Sequence, residues 1–247
     1  MKPNFTVSLD GKVLRKNSKQ FFVNYEKRKF FAYSDNLKVD FHKVDGWKFY
    51  LSDFCYLNCA SDCKINAKDC CTINCGNNCT VMLQSDCMVY TGQDCSFTIG
   101  DGNMVRCTGG CAFNAGFNCT FMACKDCIFT TEDGCTFNTD SGCKFHTGGN
   151  CYFNCEYDCE FDVGECCHIS ATDSCQFDTG FNCTISCNDG CEFKLGMNST
   201  VSLCELFGGE YHHKFKNYNN SIIMDRTNGE RYLMDNKFIK SVKVIHG

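Results

Sequence analysis

Residues 119–142 read CTFMACKD, CIFTTEDG and CTFNTDSG, three successive copies of an eight-residue unit. The unit, which we call the octad, runs from Cys55 to Leu206 without insertion or deletion. Its first position is Cys at seventeen of nineteen sites, and the exceptions are Asn103 and Ser199. Its third position is apolar at all nineteen sites, ten of them Phe. A strict period of this length is typical of a solenoid, in which each repeat stacks on its neighbours.

Each octad predicts one strand and one turn. Positions 1, 3 and 5 are Cys, apolar, and small or apolar, while positions 2 and 4 are mostly polar, which indicates a β-strand with one buried face. Position 8 is Asn, Asp or Gly in fifteen of the eighteen octads before the truncated last one, and these residues accept the left-handed conformation of a tight turn. One strand and one turn cannot close a coil. We therefore predict an all-β, two-sided β-solenoid with 16 residues per coil and about nine and a half coils.

The cysteines at position 5 support this two-octad coil. All five belong to the odd-numbered octads, counted from Cys55, and each is followed across the turn by another Cys. The pairs are Cys59 and Cys63, Cys75 and Cys79, Cys107 and Cys111, Cys155 and Cys159, and Cys187 and Cys191. These pairs could form disulfides across the coil, but such short loops gain little from a cross-link in chain entropy. We expect buried thiols, and odd and even octads that face opposite ways.

The 26 cysteines are otherwise best explained as core residues, because free Cys packs as a small hydrophobe. The chain is long for a disulfide scaffold, and its first residues do not form an apolar signal segment, so we expect reduced thiols and folding in a cytoplasm. The C-x3-C-x3-C runs could hold a metal or an iron–sulfur cluster, but the core would use those ligands, so we expect no metal and no cofactor. The central part of the predicted core ladder comprises Cys119, Phe121, Cys127, Phe129, Cys135, Phe137, Cys143, Phe145, Cys151 and Phe153.

Three segments follow from the limits of the repeat. Residues 1–54 are predicted to be an N-terminal β cap or attachment segment, residues 55–206 the solenoid, and residues 207–247 a C-terminal β cap. Dipeptides at 10–11, 35–36 and 45–46 predict hairpin turns between short N-terminal strands. In the last segment, residues 214–220 are predicted to form a loop, and the strands that follow to form a hairpin and one further strand.

Charge is distributed unevenly over these segments. They carry +5, −13 and +3 in chain order, within a total of −5. The acidic solenoid should repel nucleic acid rather than bind it. Outward positions on the even octads become acidic near the end of the repeat, at Glu160, Asp162, Asp178 and Glu192. A regular acidic surface of this kind could mimic DNA and occupy a nucleic-acid-binding protein, although lysines interrupt it and a solvated face is the simpler interpretation.

Runs such as residues 133–139, DGCTFNT, and 116–121, GFNCTF, resemble the N-C-T-F-x-T-G octapeptide repeats of uncharacterised proteins of tailed bacteriophages. The resemblance covers residues 55 to about 206. It implies a virus-encoded β-solenoid that serves as a fibre, spike, or head or tail decoration of the virion, assembled in the host cytoplasm. The sequence has no nucleophile elbow, phosphate loop or dinucleotide fingerprint, so we expect no enzyme activity. The expected partners are other virion proteins, reached through the basic N-terminal segment, or further copies of the chain, without direct contact with nucleic acid or a membrane. The alternative is an intracellular phage-encoded inhibitor that acts as a DNA mimic.

Overall fold

The computed structural model describes residues 4–41, 44–203, 214–218, 221–225, 231–235 and 238–242, and of the residues after 203 it describes side chains only at 221–224. The described chain is all-β, and its strands form two sheets, A and B, with about 16 residues per turn and about 11 turns. The all-β, two-sided solenoid predicted from the octad is confirmed. The chain divides into two compact units, unit 1 at Met1–Cys124 and unit 2 at Lys125–Gly247.

In unit 1, sheet A has the order β2-β1-β5-β7-β9-β11-β13-β15 and sheet B the order β14-β12-β10-β8-β6-β4-β3. The strands are β1 (Phe5–Leu9), β2 (Lys12–Val13), β3 (Phe21–Asn24), β4 (Lys29–Ala32), β5 (Leu37–Phe41), β6 (Lys48–Leu51), β7 (Tyr56–Asn58), β8 (Lys64–Ala67), β9 (Thr72–Asn74), β10 (Thr80–Leu83), β11 (Met88–Tyr90), β12 (Ser96–Ile99), β13 (Met104–Cys107), β14 (Ala112–Ala115) and β15 (Thr120–Ala123).

In unit 2, sheet A has the order β17-β19-β21-β23-β25-β27-β28-β29 and sheet B the order β26-β24-β22-β20-β18-β16. The strands are β16 (Ile128–Thr131), β17 (Thr136–Thr139), β18 (Lys144–Thr147), β19 (Tyr152–Asn154), β20 (Glu160–Val163), β21 (His168–Ser170), β22 (Gln176–Thr179), β23 (Thr184–Cys187), β24 (Glu192–Leu195), β25 (Thr200–Leu203), β26 (Lys214–Tyr218), β27 (Ser221–Asp225), β28 (Arg231–Asp235) and β29 (Phe238–Val242).

Odd octads supply sheet A and even octads supply sheet B, as the placement of the position-5 cysteines predicts. Neighbouring strands of a sheet are parallel and pair residues 16 apart, for example Phe145 with Phe161. All eighteen residues at position 8 have positive φ, from 55° at Asn118 to 75° at Gly134. The preference for Asn, Asp and Gly at this position therefore reflects one repeated turn geometry.

The core lies between the sheets and is filled by position 3. In unit 2, Phe137 of sheet A stacks on Phe153 of the next coil, with ring centroids 4.8 Å apart and planes at 5°. It also meets Phe145 of sheet B edge to face, at 5.2 Å and 72°. Offset and edge-to-face contacts are the favoured aromatic geometries. All ten residues of the predicted core ladder are buried, two of them in unit 1 and eight in unit 2.

Parallel stacking begins before residue 55, which corrects two predicted hairpins. The turns at 35–36 and 45–46 do not join antiparallel strands, because β4 and β6 lie in sheet B while β5 lies in sheet A. Asn36 and Gly46, with φ of 60° and 73°, instead form corners of coils. The signal was ambiguous because hairpin turns and coil corners both need residues that accept positive φ. The hairpin of β1 and β2 at residues 10–11 is confirmed.

The first coils end in an aromatic cluster. Here β1 pairs antiparallel with β5 and β3 pairs antiparallel with β4. Trp47 is buried, 4.9 Å from the Phe41 ring and 6.4 Å from the Tyr25 ring. It therefore packs over the first coils, as its place next to the repeat suggests.

The stack also continues past the last octad, where a loop was predicted at residues 214–220. Lys214–Tyr218 is strand β26, parallel to β24. In the same region β27 pairs with β25 and matches Thr200 with Ile222, so residues 22 apart align instead of 16. The loop prediction was wrong because the insertion between the octads hides the repeat. The predicted terminal hairpin is confirmed by the antiparallel pairing of β27 with β28, and β29 adds to β28.

Candidate functional site

The column of position-1 cysteines is a hydrogen-bonded structure. The Cys87 Sγ donates to the carbonyl oxygen of Lys68 at 3.0 Å, and it accepts a hydrogen bond from the backbone N–H of Cys71 at 3.3 Å. The acceptor is a turn carbonyl three residues before Cys71, the preceding cysteine of the same column. Cys71 donates in the same way to Ser52, and Cys183 to Gly164. The thiols thus satisfy backbone groups that would otherwise be buried without a partner.

The two exceptions to the cysteine column make the same bonds. The Asn103 side chain donates to the carbonyl of Gln84 at 2.9 Å and accepts from the N–H of Cys87 at 3.0 Å. Ser199 accepts from the N–H of Cys183 at 3.2 Å and donates to the carbonyl of Gly180 at 3.4 Å. The sequence analysis interpreted the column as apolar filling and missed this role. Its signal was present, because a purely apolar column would be interrupted by Ala or Val rather than by Asn and Ser.

The cysteine pairs that could cross-link the coil are all reduced. All described cysteines are thiols, including the ten in the C-x3-C pairs. At Cys155, burial raises the pKa of the thiol well above its ordinary value. A thiol with a raised pKa is a poor nucleophile and a poor metal ligand at neutral pH, because both roles require the thiolate. Chemistry at Cys155 is therefore disfavoured in the folded chain.

The predicted acidic surface lies on the outer face of sheet B in unit 2, but much of its charge is compensated. Cations contact three of its carboxylates across neighbouring strands. Lys144 Nζ lies 2.8 Å from Glu160 Oε1, His146 Nδ1 lies 2.7 Å from Asp162 Oδ2, and Lys194 contacts Asp178. The hydrogen bond from Asp178 raises the pKa of Lys194. These exposed pairs line a shallow groove of about 360 Å³ on the sheet surface.

The outer face of sheet A in unit 2 is different in character. Its outward residues are mainly Thr, Ser and Asn, and a groove of about 330 Å³ runs over them. Tyr152 and His168 stack there with ring centroids 5.1 Å apart and planes at 11°. Uncharged and weakly polar, this face offers no general acid or base paired with a nucleophile. Its periodic pattern is that expected of a solvated sheet.

Two further observations concern other kinds of site. Within the described ranges, no three His, Cys, Asp or Glu side chains are grouped so that they could hold a metal ion. The same part of the chain contains no helix of the length and apolarity needed to cross a membrane. No family model, curated protein or solved structure matches this chain.

Proposed function

We propose that this chain is a non-enzymatic structural protein of a phage particle, as a fibre, a spike, or a head or tail decoration. The observation that carries the proposal is the thiol column. Cysteine is the most conspicuous residue of the sequence, and its thiols bond the turn carbonyls of successive coils instead of forming a reactive centre. A chain that devotes its potential nucleophiles to holding its backbone in register is suited to a mechanical or scaffolding role.

The resemblance of the octads to repeats of tailed-phage proteins gives this role its setting. The proposed partners are other virion proteins, which the basic N-terminal segment would contact, and further copies of the chain. Assembly would take place in the host cytoplasm, where the thiols remain reduced. The alternative of a DNA mimic has weaker support, because two lysines and a histidine contact three of the four carboxylates it would use.

The test is quantitative mass spectrometry of particles purified through a density gradient. We expect peptides of this chain at a constant ratio to the major capsid protein across the particle peak, before and after protease treatment of intact particles. A phage-encoded cytoplasmic protein of similar abundance is the matched control. Absence of the chain from the particle peak, or a ratio that varies like that of the control, would rule out the virion role.

A further inference from the structure

Three lysines form a row on the outer face of sheet B in unit 1. Lys29 on β4 pairs in register with Lys48 on β6, which pairs with Lys64 on β8. Lys48 and Lys64 are exposed, and no ion pair involves any of the three among the described residues. Like charges on neighbouring strands repel each other. In unit 2 the equivalent face places carboxylates beside its lysines, so the uncompensated row is a local feature of unit 1.

Aromatic rings lie next to this row, one position further along each strand pair. Phe31 and Tyr50 stack with centroids 4.7 Å apart and planes at 7°, and Phe22 lies 6.2 Å from Phe31. Phe22 is 48% exposed although it is a large apolar side chain. The Lys29 ammonium lies 5.8 Å from the centre of the Tyr50 ring. Lys29, Lys48, Lys64, Phe22, Phe31 and Tyr50 together form what we call the basic aromatic face.

The strand at the end of this face has an open edge. β3 is the last strand of sheet B and pairs only with β4 in the described chain. The Gln20 carbonyl accepts a hydrogen bond from the Tyr33 N–H at 2.8 Å, across the hairpin. Because successive residues of an antiparallel strand direct their backbone groups to alternate sides, Phe21 and Val23 direct theirs away from β4. An exposed edge of this kind can pair with another strand.

We propose that the basic aromatic face binds an acidic, extended segment of another protein, which adds to β3 as a further strand. An apolar side chain of that segment would extend the aromatic row beside Phe22. A carboxylate two residues away would lie on the same side and extend the lysine row beside Asn24, which pairs with Lys29. Flanking carboxylates would reach Lys48 and Lys64. This partner chemistry rests on the proposed function, in which the N-terminal segment attaches the chain to the particle.

A protein segment fits this face better than nucleic acid. The rings of Phe31 and Tyr50 cover each other's faces, so bases cannot stack between them. A polynucleotide leaving the face would meet residues 55–206, which carry −13 in total. The backbone groups of Phe21 and Val23 also match a peptide backbone, which supplies both donors and acceptors at strand spacing.

The test uses the full chain and a short fluorescein-labelled peptide that repeats Glu-Thr-Val-Thr, with binding followed by fluorescence anisotropy. This repeat places Glu and Val alternately on one side of a strand. We expect saturable binding that weakens with salt. The neutral Gln-Thr-Val-Thr peptide should bind about tenfold more weakly, as should a Lys48→Glu/Lys64→Glu variant. An Arg106→Glu/Lys125→Glu variant, with the same change of charge at exposed positions elsewhere, should bind as the unaltered chain does.

Strand addition is tested without altering the protein, by N-methylating alternate residues of the peptide so that one edge cannot donate hydrogen bonds. We expect this peptide not to bind. Equal binding of the N-methylated peptide, equal losses in the two charge variants, or no binding of the original peptide would each overturn the proposal. Binding of oligothymidylate in place of the peptide would also overturn it and indicate a nucleic-acid site. Because the assay needs no particle, its failure is distinct from absence of the chain in purified virions.

Discussion

Replacing Cys87 tests whether the cysteine column stabilises the coil through hydrogen bonds or through apolar packing alone. In Cys87→Ala the N–H of Cys71 loses its acceptor and the carbonyl of Lys68 loses its donor. Cys71 is 1% exposed, so its N–H is out of reach of water. An unsatisfied buried donor costs about 1–3 kcal/mol, and because the thiol is a weak partner we expect a total loss of about 2 kcal/mol.

The discriminating comparison is between Cys87→Ser and Cys87→Val. Serine can make both bonds, as Ser199 does in the same column, so we expect the loss to be below about 1 kcal/mol. Valine fills the space but makes neither bond, and its branched side chain strains a packed site by about 1–3 kcal/mol. Apolar packing alone would reverse this order and make Val the better replacement.

The assay is urea denaturation in the presence of a reducing agent, followed by circular dichroism. Stability is compared through the transition midpoint, provided that the slope of the transition is unchanged among the variants. Repeat proteins can unfold in more than one step, so the slope also checks that the same unit unfolds each time. A Cys87→Val or Cys87→Ala chain as stable as Cys87→Ser would refute a hydrogen-bonding role for the column.

Three further predictions concern packing, thiol reactivity and turn geometry. Phe137→Ala should destabilise the fold by about 3–5 kcal/mol through the cavity left among stacked rings, and an unchanged melting temperature would contradict its inward place. In native alkylation with mass spectrometry, the half-exposed thiols Cys70, Cys124 and Cys166 should react before any other described cysteine; early labelling of a column cysteine would show that the coils open readily. Asn182, with φ of 59°, should tolerate Gly, whereas Asn182→Ala should cost about 1–2 kcal/mol in chemical denaturation. Equal stability of the two Asn182 variants would argue against a left-handed turn.

The sequence predicts the coil because every octad repeats the same local instructions. Alternation fixes which side chains point inward, and the residue at position 8 fixes the corner. The position-5 cysteines even separate the two sheets, since they occur only in odd octads. The limits of the coil stack could not be predicted in this way. At Asn36 the corner lies outside the eight-residue period, and before Ile222 an insertion changes the spacing, so neither coil can be counted from the repeat.

The candidate surfaces were harder to predict than the fold. Ion pairs such as Lys144 with Glu160 follow from the period, because their members are 16 residues apart. The lysine row does not, since Lys29 pairs with Lys48, 19 residues away, in a segment without octads. The register there is set by the aromatic cluster and by the lengths of the corners. Tertiary packing, which no local pattern encodes, decides this part of the structure.

The claim that the cysteines build the coil is tested most directly by the S–H stretching band in the Raman spectrum of the folded, reduced chain. Hydrogen bonding of the thiol as a donor moves this band to lower frequency than that of a thiol in an apolar solvent. We predict one strong band at the lowered frequency, whose integrated intensity accounts for nearly all 26 cysteines. A band at the frequency of thiols without hydrogen bonds, or its loss in favour of a disulfide band, would contradict the account.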